Sequence, residues 1–87
     1  MDIPLNKLIL FGSRAKNKHK RYSDFDFLIV SSRFKGMDRM ERSSKMYDYW
    51  NYMYPADFLC YTPAELEKLK KKSLIIKEAL EEGVEIR

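Results

Sequence analysis

The chain has 87 residues, of which 45% are hydrophobic and 14% aromatic, and its formal net charge is +4. This composition is typical of a globular chain and excludes an intrinsically disordered one, and the length predicts a single domain. No apolar run approaches the roughly 18 residues of a membrane-spanning helix, and Met1 and Asp2 begin no signal-peptide pattern. We therefore expect a cytoplasmic domain, whose single Cys60 is a buried, unreactive thiol.

The positive charge is unevenly distributed along the chain. One cluster contains no acidic residue within its eight positions: Arg14, Lys16, Lys18, Lys20 and Arg21. Such a cluster favours an anionic ligand such as phosphate. A second cluster, at residues 68–72, is balanced by neighbouring glutamates and is typical of the solvated face of a helix.

Two apolar runs in the first third of the chain predict buried strands. Residues 8–11 form a short run that ends at Gly12, and residues 25–30 form a second run rich in aromatic and β-branched side chains. Residues 13–19, between the two runs, are compatible with either a short helix or an extended loop.

A long helix is predicted over residues 37–54, where Pro55 ends it. Four large side chains recur there near the helical period, and Met46 and Met53 flank the same stripe. The recurring side chains are Met40, Tyr47, Trp50 and Tyr54.

A third strand, at residues 57–61, is followed by a clear helix start. Thr62 is a suitable N-cap, Pro63 suits the first helical position, and Glu65 completes a capping box. We expect one helix from here to Gly83, which would end it in a left-handed conformation. Its apolar stripe comprises Leu66, Leu69, Ile76 and Leu80.

The last four residues alternate in the sequence VEIR and predict an edge strand. The order of elements is then strand, short helix, strand, helix, strand, helix, strand. This order predicts an α/β fold, a small mixed β-sheet with helices packed on it.

Two aspartates lie at the start of the second predicted strand. Asp24 and Asp26 are two residues apart, so a strand would point both carboxylates to the same side. Two such close negative charges repel unless a cation lies between them, and Mg²⁺ favours this kind of ligand. The alternative is that both are solvated, or form ion pairs with Lys20 and Arg21.

Two further features strengthen the interpretation of this region as a phosphate and metal site. A strand that ends in Gly12-Ser13 and turns into a helix presents free backbone N–H groups to a phosphate, at a strand end where α/β sheets often bind ligands. Asp57 opens the next strand, would share a face with Leu59 and Tyr61, and is the candidate third acid. Its alternative role is a polar strand start after a proline.

The stretch LFGSRAKNKHKRYSDFDFLIV resembles the nucleotidyltransferase signature of the DNA polymerase β superfamily, GSRARG, a spacer and SDxDL. The later stretch ADFLCYTPAELEKL resembles the segment of minimal nucleotidyltransferases that carries the third acidic residue. The resemblance covers roughly residues 7–86 and implies one minimal nucleotidyltransferase domain over residues 1–87, with the polymerase-β-like fold.

By this resemblance, Asp24, Asp26 and Asp57 are the catalytic and metal-binding residues. Asp24 and Asp26 would ligate Mg²⁺, and Asp57 would complete the metal site or accept the proton of the attacking hydroxyl. Gly12 and Ser13 would hold the phosphates of ATP or another nucleoside triphosphate. Catalysis would then consist of positioning and charge neutralisation during in-line attack on the α-phosphorus.

Arg14 would be a further phosphate contact. The sequence departs from the signature after this arginine, since Lys16-Asn17 replace its Arg-Gly pair and remove a flexible glycine.

The resemblance also implies a partner. Minimal nucleotidyltransferases of this size are similar to antitoxins of two-gene toxin–antitoxin pairs, which transfer AMP to a tyrosine of a helical HEPN-domain ribonuclease. The acceptor surface would come from that chain or from a second copy, with the helix at residues 37–54 either packed on the sheet or part of the interface. The alternative function is a binding module that neutralises its partner by contact. Direct nucleic-acid binding is disfavoured, because the adjacent acids repel a phosphate backbone.

Overall fold

The structure, a computed structural model, describes residues 4–12, 24–50 and 55–86. Within these ranges one four-stranded sheet has the strand order β3-β2-β1-β4. The strands are β1 (Lys7–Phe11), β2 (Phe25–Val30), β3 (Ala56–Tyr61) and β4 (Val84–Glu85). β1 is antiparallel to both β2 and β4, whereas β2 and β3 are parallel. The predicted mixed sheet is thus confirmed.

The predicted strands are close to the observed ones. β1 begins one residue earlier than predicted, at Lys7, and β3 begins at Ala56. β2 has the predicted bounds, and the final edge strand is confirmed as β4, which pairs with β1. The segment predicted as a short helix or loop, residues 13–19, lies outside the described residues.

The helices cover both faces of the sheet. They are α1 (Arg39–Tyr47), α2 (Pro63–Leu69) and α3 (Leu74–Glu82), with a short 3-10 turn at Ser32–Phe34. Within the part of the chain that the structure describes, no helix is long and apolar enough to cross a membrane.

The helix predicted over residues 37–54 is wrong in extent, because α1 occupies only Arg39–Tyr47. The side chains that α1 buries are Arg42 and Met46, whereas Met40 of the predicted stripe is 80% exposed. After the helix the chain turns, and Trp50 packs on the sheet from outside the helix. Residues 51–54 lie outside the described ranges.

The single helix predicted between Thr62 and Gly83 is also wrong. The predicted capping box is present at its start, but α2 ends at Leu69 and Ser73 caps a separate helix, α3. In one straight helix Leu66 and Ala79 would point roughly 140° apart, at 100° per residue. Because the chain turns between α2 and α3, Leu66 and Ala79 can both be buried against the sheet.

Gly83 does not adopt the predicted left-handed conformation, because its φ of −71° and ψ of 160° are extended. A glycine is required there by close packing, since a Cβ atom would lie 2.4 Å from Ile9 Cγ2 and 2.4 Å from the Ala79 carbonyl oxygen. The chain therefore passes directly from α3 into β4.

The hydrophobic core has two parts, one on each face of the sheet. Under α2 and α3 the buried residues are Ile9, Leu28, Val30, Leu66, Ile76 and Ala79. Under α1 they are Phe27, Ile29, Phe34, Met46, Ala56 and Cys60. Cys60 is buried, as predicted, and burial raises the pKa of its thiol to about 12, which disfavours the reactive thiolate.

An ion pair that the sequence analysis did not predict joins the helices on opposite faces. Arg42 is only 7% exposed and donates to both carboxylate oxygens of Glu65, at 2.6 and 3.1 Å. It also donates to the carbonyls of Met37 (2.9 Å) and Cys60 (3.1 Å). Hydrogen bonding from Arg42 lowers the pKa of Glu65 to about 2, aided by the backbone N–H of Thr62. This ion pair links α1 to α2 beside the carboxyl end of β3.

We predict that Glu65→Gln lowers the free energy of unfolding at neutral pH by about 1–3 kcal/mol, because Arg42 loses its counter-charge. The Glu65 pKa is lower in the folded protein than its ordinary value of 4.5, so its contribution is complete above about pH 5. Urea denaturation of the wild type should show that contribution vanish as the pH falls towards 2.

Glu67→Gln is the matched control, since Glu67 lies in the same helix and its pair with Lys70 is exposed. It should leave the unfolding free energy unchanged. A stability difference between wild type and Glu65→Gln that is the same at pH 3 and pH 7 would contradict the account.

Candidate functional site

The candidate residues meet at one edge of the sheet. β1 ends there and β2 and β3 begin there, because β1 is antiparallel to β2 and β3 is parallel to it. Phe11 is paired with Asp26, and Gly12 follows Phe11 directly. β1 thus contributes its carboxyl end to this edge, and β2 and β3 contribute their amino ends.

Asp26 and Asp57 are direct neighbours across the parallel pair β2–β3. Neighbouring strands lie about 4.8 Å apart, and paired residues point to the same face. Asp57 shares its face with Leu59 and Tyr61, as predicted, and that is the face covered by α2 and α3. The two carboxylates therefore lie side by side on that face, at the starts of β2 and β3.

The electrostatics of this edge favour a cation. Asp26 is half-buried, and burial raises the pKa of its carboxyl, as do the negative charges of Asp57 and Asp24. A bound cation would remove this destabilisation, because it offsets the mutual repulsion of the carboxylates.

No three His, Cys, Asp or Glu side chains among the described residues converge closely enough to hold a metal ion. Mg²⁺ needs fewer, since it is commonly bound by one or two carboxylates together with water and substrate phosphates. The Asp26–Asp57 pair fits this requirement, with Asp24, exposed at the start of β2, within electrostatic range of Asp26.

Gly12 is required at its position for two reasons. Its φ is +76°, in the left-handed region that favours glycine. A Cβ atom there would also lie 2.6 Å from Asp26 Oδ2. Ser13 and Arg14, the other predicted phosphate ligands, lie outside the described residues, as does the rest of the basic cluster at 14–21.

An aromatic layer on the opposite face of the sheet supports the aspartates. Phe25 and Phe27 flank Asp26 in sequence, and Phe58 follows Asp57. The Phe27 ring stacks on Phe25 (6.2 Å between centroids) and on Phe58 (5.7 Å), so the layer crosses from β2 to β3. Trp50 packs edge-on against all three rings.

This aromatic layer was not predicted from the sequence, although the alternation Phe-Asp-Phe indicates it. Alternate residues of a strand point to opposite faces, so an aspartate between two phenylalanines has rings directly behind it. Phe27, the residue directly after Asp26, is one of these rings.

Tyr47 is a second such residue, expected from the sequence only to pack on the sheet or to form part of a partner interface. Its hydroxyl donates a hydrogen bond to the Ala56 carbonyl, and its ring packs edge-on against Phe58 at 4.9 Å. Burial and the negative charges of Asp57 and Asp24 raise the pKa of its phenol, although the side chain as a whole is 47% exposed. Tyr47 thus lies within electrostatic range of the aspartates.

Comparison with protein-family profiles matches residues 3–86 to the family described as nucleotidyltransferase domain. The chain belongs to this family. The match covers nearly the whole chain and includes Gly12, Asp24, Asp26 and Asp57. It supports nucleotidyl transfer in general as the activity of this kind of domain.

A solved structure from Sulfolobus solfataricus, provisionally assigned as a nucleotidyltransferase, has the same fold, with a TM-score of 0.60 at 21% identity. The alignment covers 93% of this nucleotidyltransferase domain, which spans only 61% of the Sulfolobus chain. No protein with curated annotation is significantly similar to the chain in sequence.

We predict that Gly12→Ala destabilises the domain by about 1–2 kcal/mol, the cost of a left-handed alanine, and also displaces the Asp26 carboxylate. Gly36→Ala is the matched control, because Gly36 has a similar φ of +83° but open space around it. Urea denaturation should give similar losses for both variants. Amide NMR shifts of Asp26 and Asp57 should change in Gly12→Ala alone, and unchanged shifts there would contradict the contact.

Proposed function

We propose that the chain is an Mg²⁺-dependent nucleotidyltransferase that transfers AMP from ATP to a hydroxyl group of a partner protein. The observation that carries this proposal is the side-by-side pairing of Asp26 and Asp57 next to Gly12, at one sheet edge of a nucleotidyltransferase domain. The raised pKa of Asp26 supports it, since that edge has unbalanced negative charge.

In this proposal, Asp24, Asp26 and Asp57 hold Mg²⁺, which when bound neutralises charge on the triphosphate. Gly12 lets a phosphate approach the end of β1, because it carries no side chain there, and Ser13 and Arg14 donate hydrogen bonds to the β- and γ-phosphates.

The reaction is an in-line displacement at the α-phosphorus. The acceptor hydroxyl oxygen forms the new P–O bond, the bond from the α-phosphorus to the α–β bridging oxygen breaks, and pyrophosphate leaves. Asp57 accepts the hydroxyl proton in this proposal. Because Asp57 is exposed at the start of an edge strand, a large acceptor can reach it.

The exposure of two of the three aspartates supports a protein acceptor. Asp24 and Asp57 are both exposed, so the reacting atoms would lie at the surface of the domain. Together with the resemblance to antitoxin nucleotidyltransferases, this leads us to propose a HEPN-domain toxin as the partner, inactivated by AMP transfer within a complex of the two chains.

We predict that label from α-³²P-ATP, but not from γ-³²P-ATP, is transferred to the purified HEPN-domain partner in the presence of Mg²⁺. Asp26→Asn and Asp57→Asn should each reduce transfer by more than about 100-fold. Losing a residue that only hydrogen-bonds a metal ligand costs up to about 100-fold, and a direct ligand should matter more. Asp48→Asn, the same substitution at the exposed end of α1, should retain full transfer.

The controls separate two functions. No transfer by the wild type would overturn the proposal. If toxin neutralisation then persisted in the wild type, Asp26→Asn and Asp57→Asn alike, the chain would be a contact-only binding module.

A further inference from the structure

Helix α1 is attached to the edge strand β3 at both of its ends. Near the start of the helix, Arg42 donates to the Cys60 carbonyl at 3.1 Å. At its last residue, Tyr47 donates to the Ala56 carbonyl. α1 therefore runs along β3 in the opposite direction, and Tyr47 is its contact at the end where the aspartates lie.

The Tyr47 side chain contacts both neighbours of Asp57. Its hydroxyl bonds the carbonyl of Ala56, the residue before Asp57, and its ring packs against Phe58, the residue after. Because successive side chains of a strand alternate, Tyr47 holds the strand from the α1 face while Asp57 points to the other face. These contacts fix the backbone that presents the Asp57 carboxylate.

The start of β3 is also held by its pairing with β2. The Phe25 N–H donates to the Pro55 carbonyl at 2.9 Å, which joins this end of β3 to β2. The Ala56 carbonyl is bonded by Tyr47 from the helix side. Loss of the Tyr47 hydroxyl would leave the placement of Asp57 beside Asp26 to strand pairing and ring packing.

We propose that Tyr47 is a positioning residue that holds Asp57 in register with Asp26 and thereby sets the affinity of the site for a divalent cation. The proposal rests on the proposed function, because it assumes that these two carboxylates bind the cation. The phenol is suited to this role, since a tyrosine hydroxyl is protonated at neutral pH and can donate a hydrogen bond.

Three variants separate positioning from general stability. Tyr47→Phe keeps the ring contact with Phe58 and removes only the hydroxyl. Tyr49→Phe removes a hydroxyl from a tyrosine that is 38% exposed just after the helix. Glu65→Gln weakens the fold at the opposite end of β3, through Arg42.

The measurement is Mn²⁺ binding by isothermal titration calorimetry, together with the Tm of each metal-free variant. Tyr47→Phe should bind Mn²⁺ roughly tenfold more weakly, as for other residues that orient metal ligands. Its Tm should fall by about 4–8 °C, the effect of one lost hydrogen bond. The Tm of Glu65→Gln should fall further. Its Mn²⁺ affinity should stay within about twofold of the wild type, because mutations at distant sites act almost independently. Tyr49→Phe should match the wild type in both.

If the wild type binds Mn²⁺ and Tyr47→Phe binds it equally tightly, this proposal is overturned and the proposed function remains intact. A loss of affinity in Glu65→Gln equal to that in Tyr47→Phe would also overturn it, because general loosening would then explain both. A wild type that binds neither Mn²⁺ nor Mg²⁺-ATP would overturn the proposed function itself, and this proposal with it.

Discussion

The site depends on the register of the two parallel strands β2 and β3. Asp26 is paired with Asp57, and a shift of one residue would move one of the two carboxylates to the opposite face. The stacked rings of Phe25, Phe27 and Phe58 stabilise that register from the opposite face of the sheet. The same alternation that packs these rings on the α1 face places the two acids on the other face, so both sets of side chains depend on one strand pairing.

Much of the fold could be predicted because its signals are local. The apolar run of β2 gave its bounds, and the Thr62 capping box marked the start of α2. The aspartates could be predicted as a group because their spacing and strand positions place them on one face. Their side-by-side arrangement could not, because it requires knowing that β2 and β3 pair in parallel, which is a long-range fact.

The errors have a common cause in tertiary packing. The helix over 37–54 ends early because Trp50 packs on the sheet, and the long final helix breaks so that Leu66 and Ala79 can both face the core. The Arg42–Glu65 pair joins residues 23 positions apart, and neither residue alone signals a buried partner. The roles of Tyr47 and Arg42 on β3 were likewise not predictable, since each bonds a backbone carbonyl.

Line broadening by Mn²⁺ in amide NMR spectra tests the central claim most directly, because it locates the cation without requiring an acceptor. In the presence of ATP, signals from residues 25–27 and 56–58 and from Gly12 should broaden first. Broadening centred on acidic residues at the opposite end of the sheet, such as Asp38 and Glu41 at the start of α1, would contradict the assignment of the site to the edge where β1 ends and β2 and β3 begin.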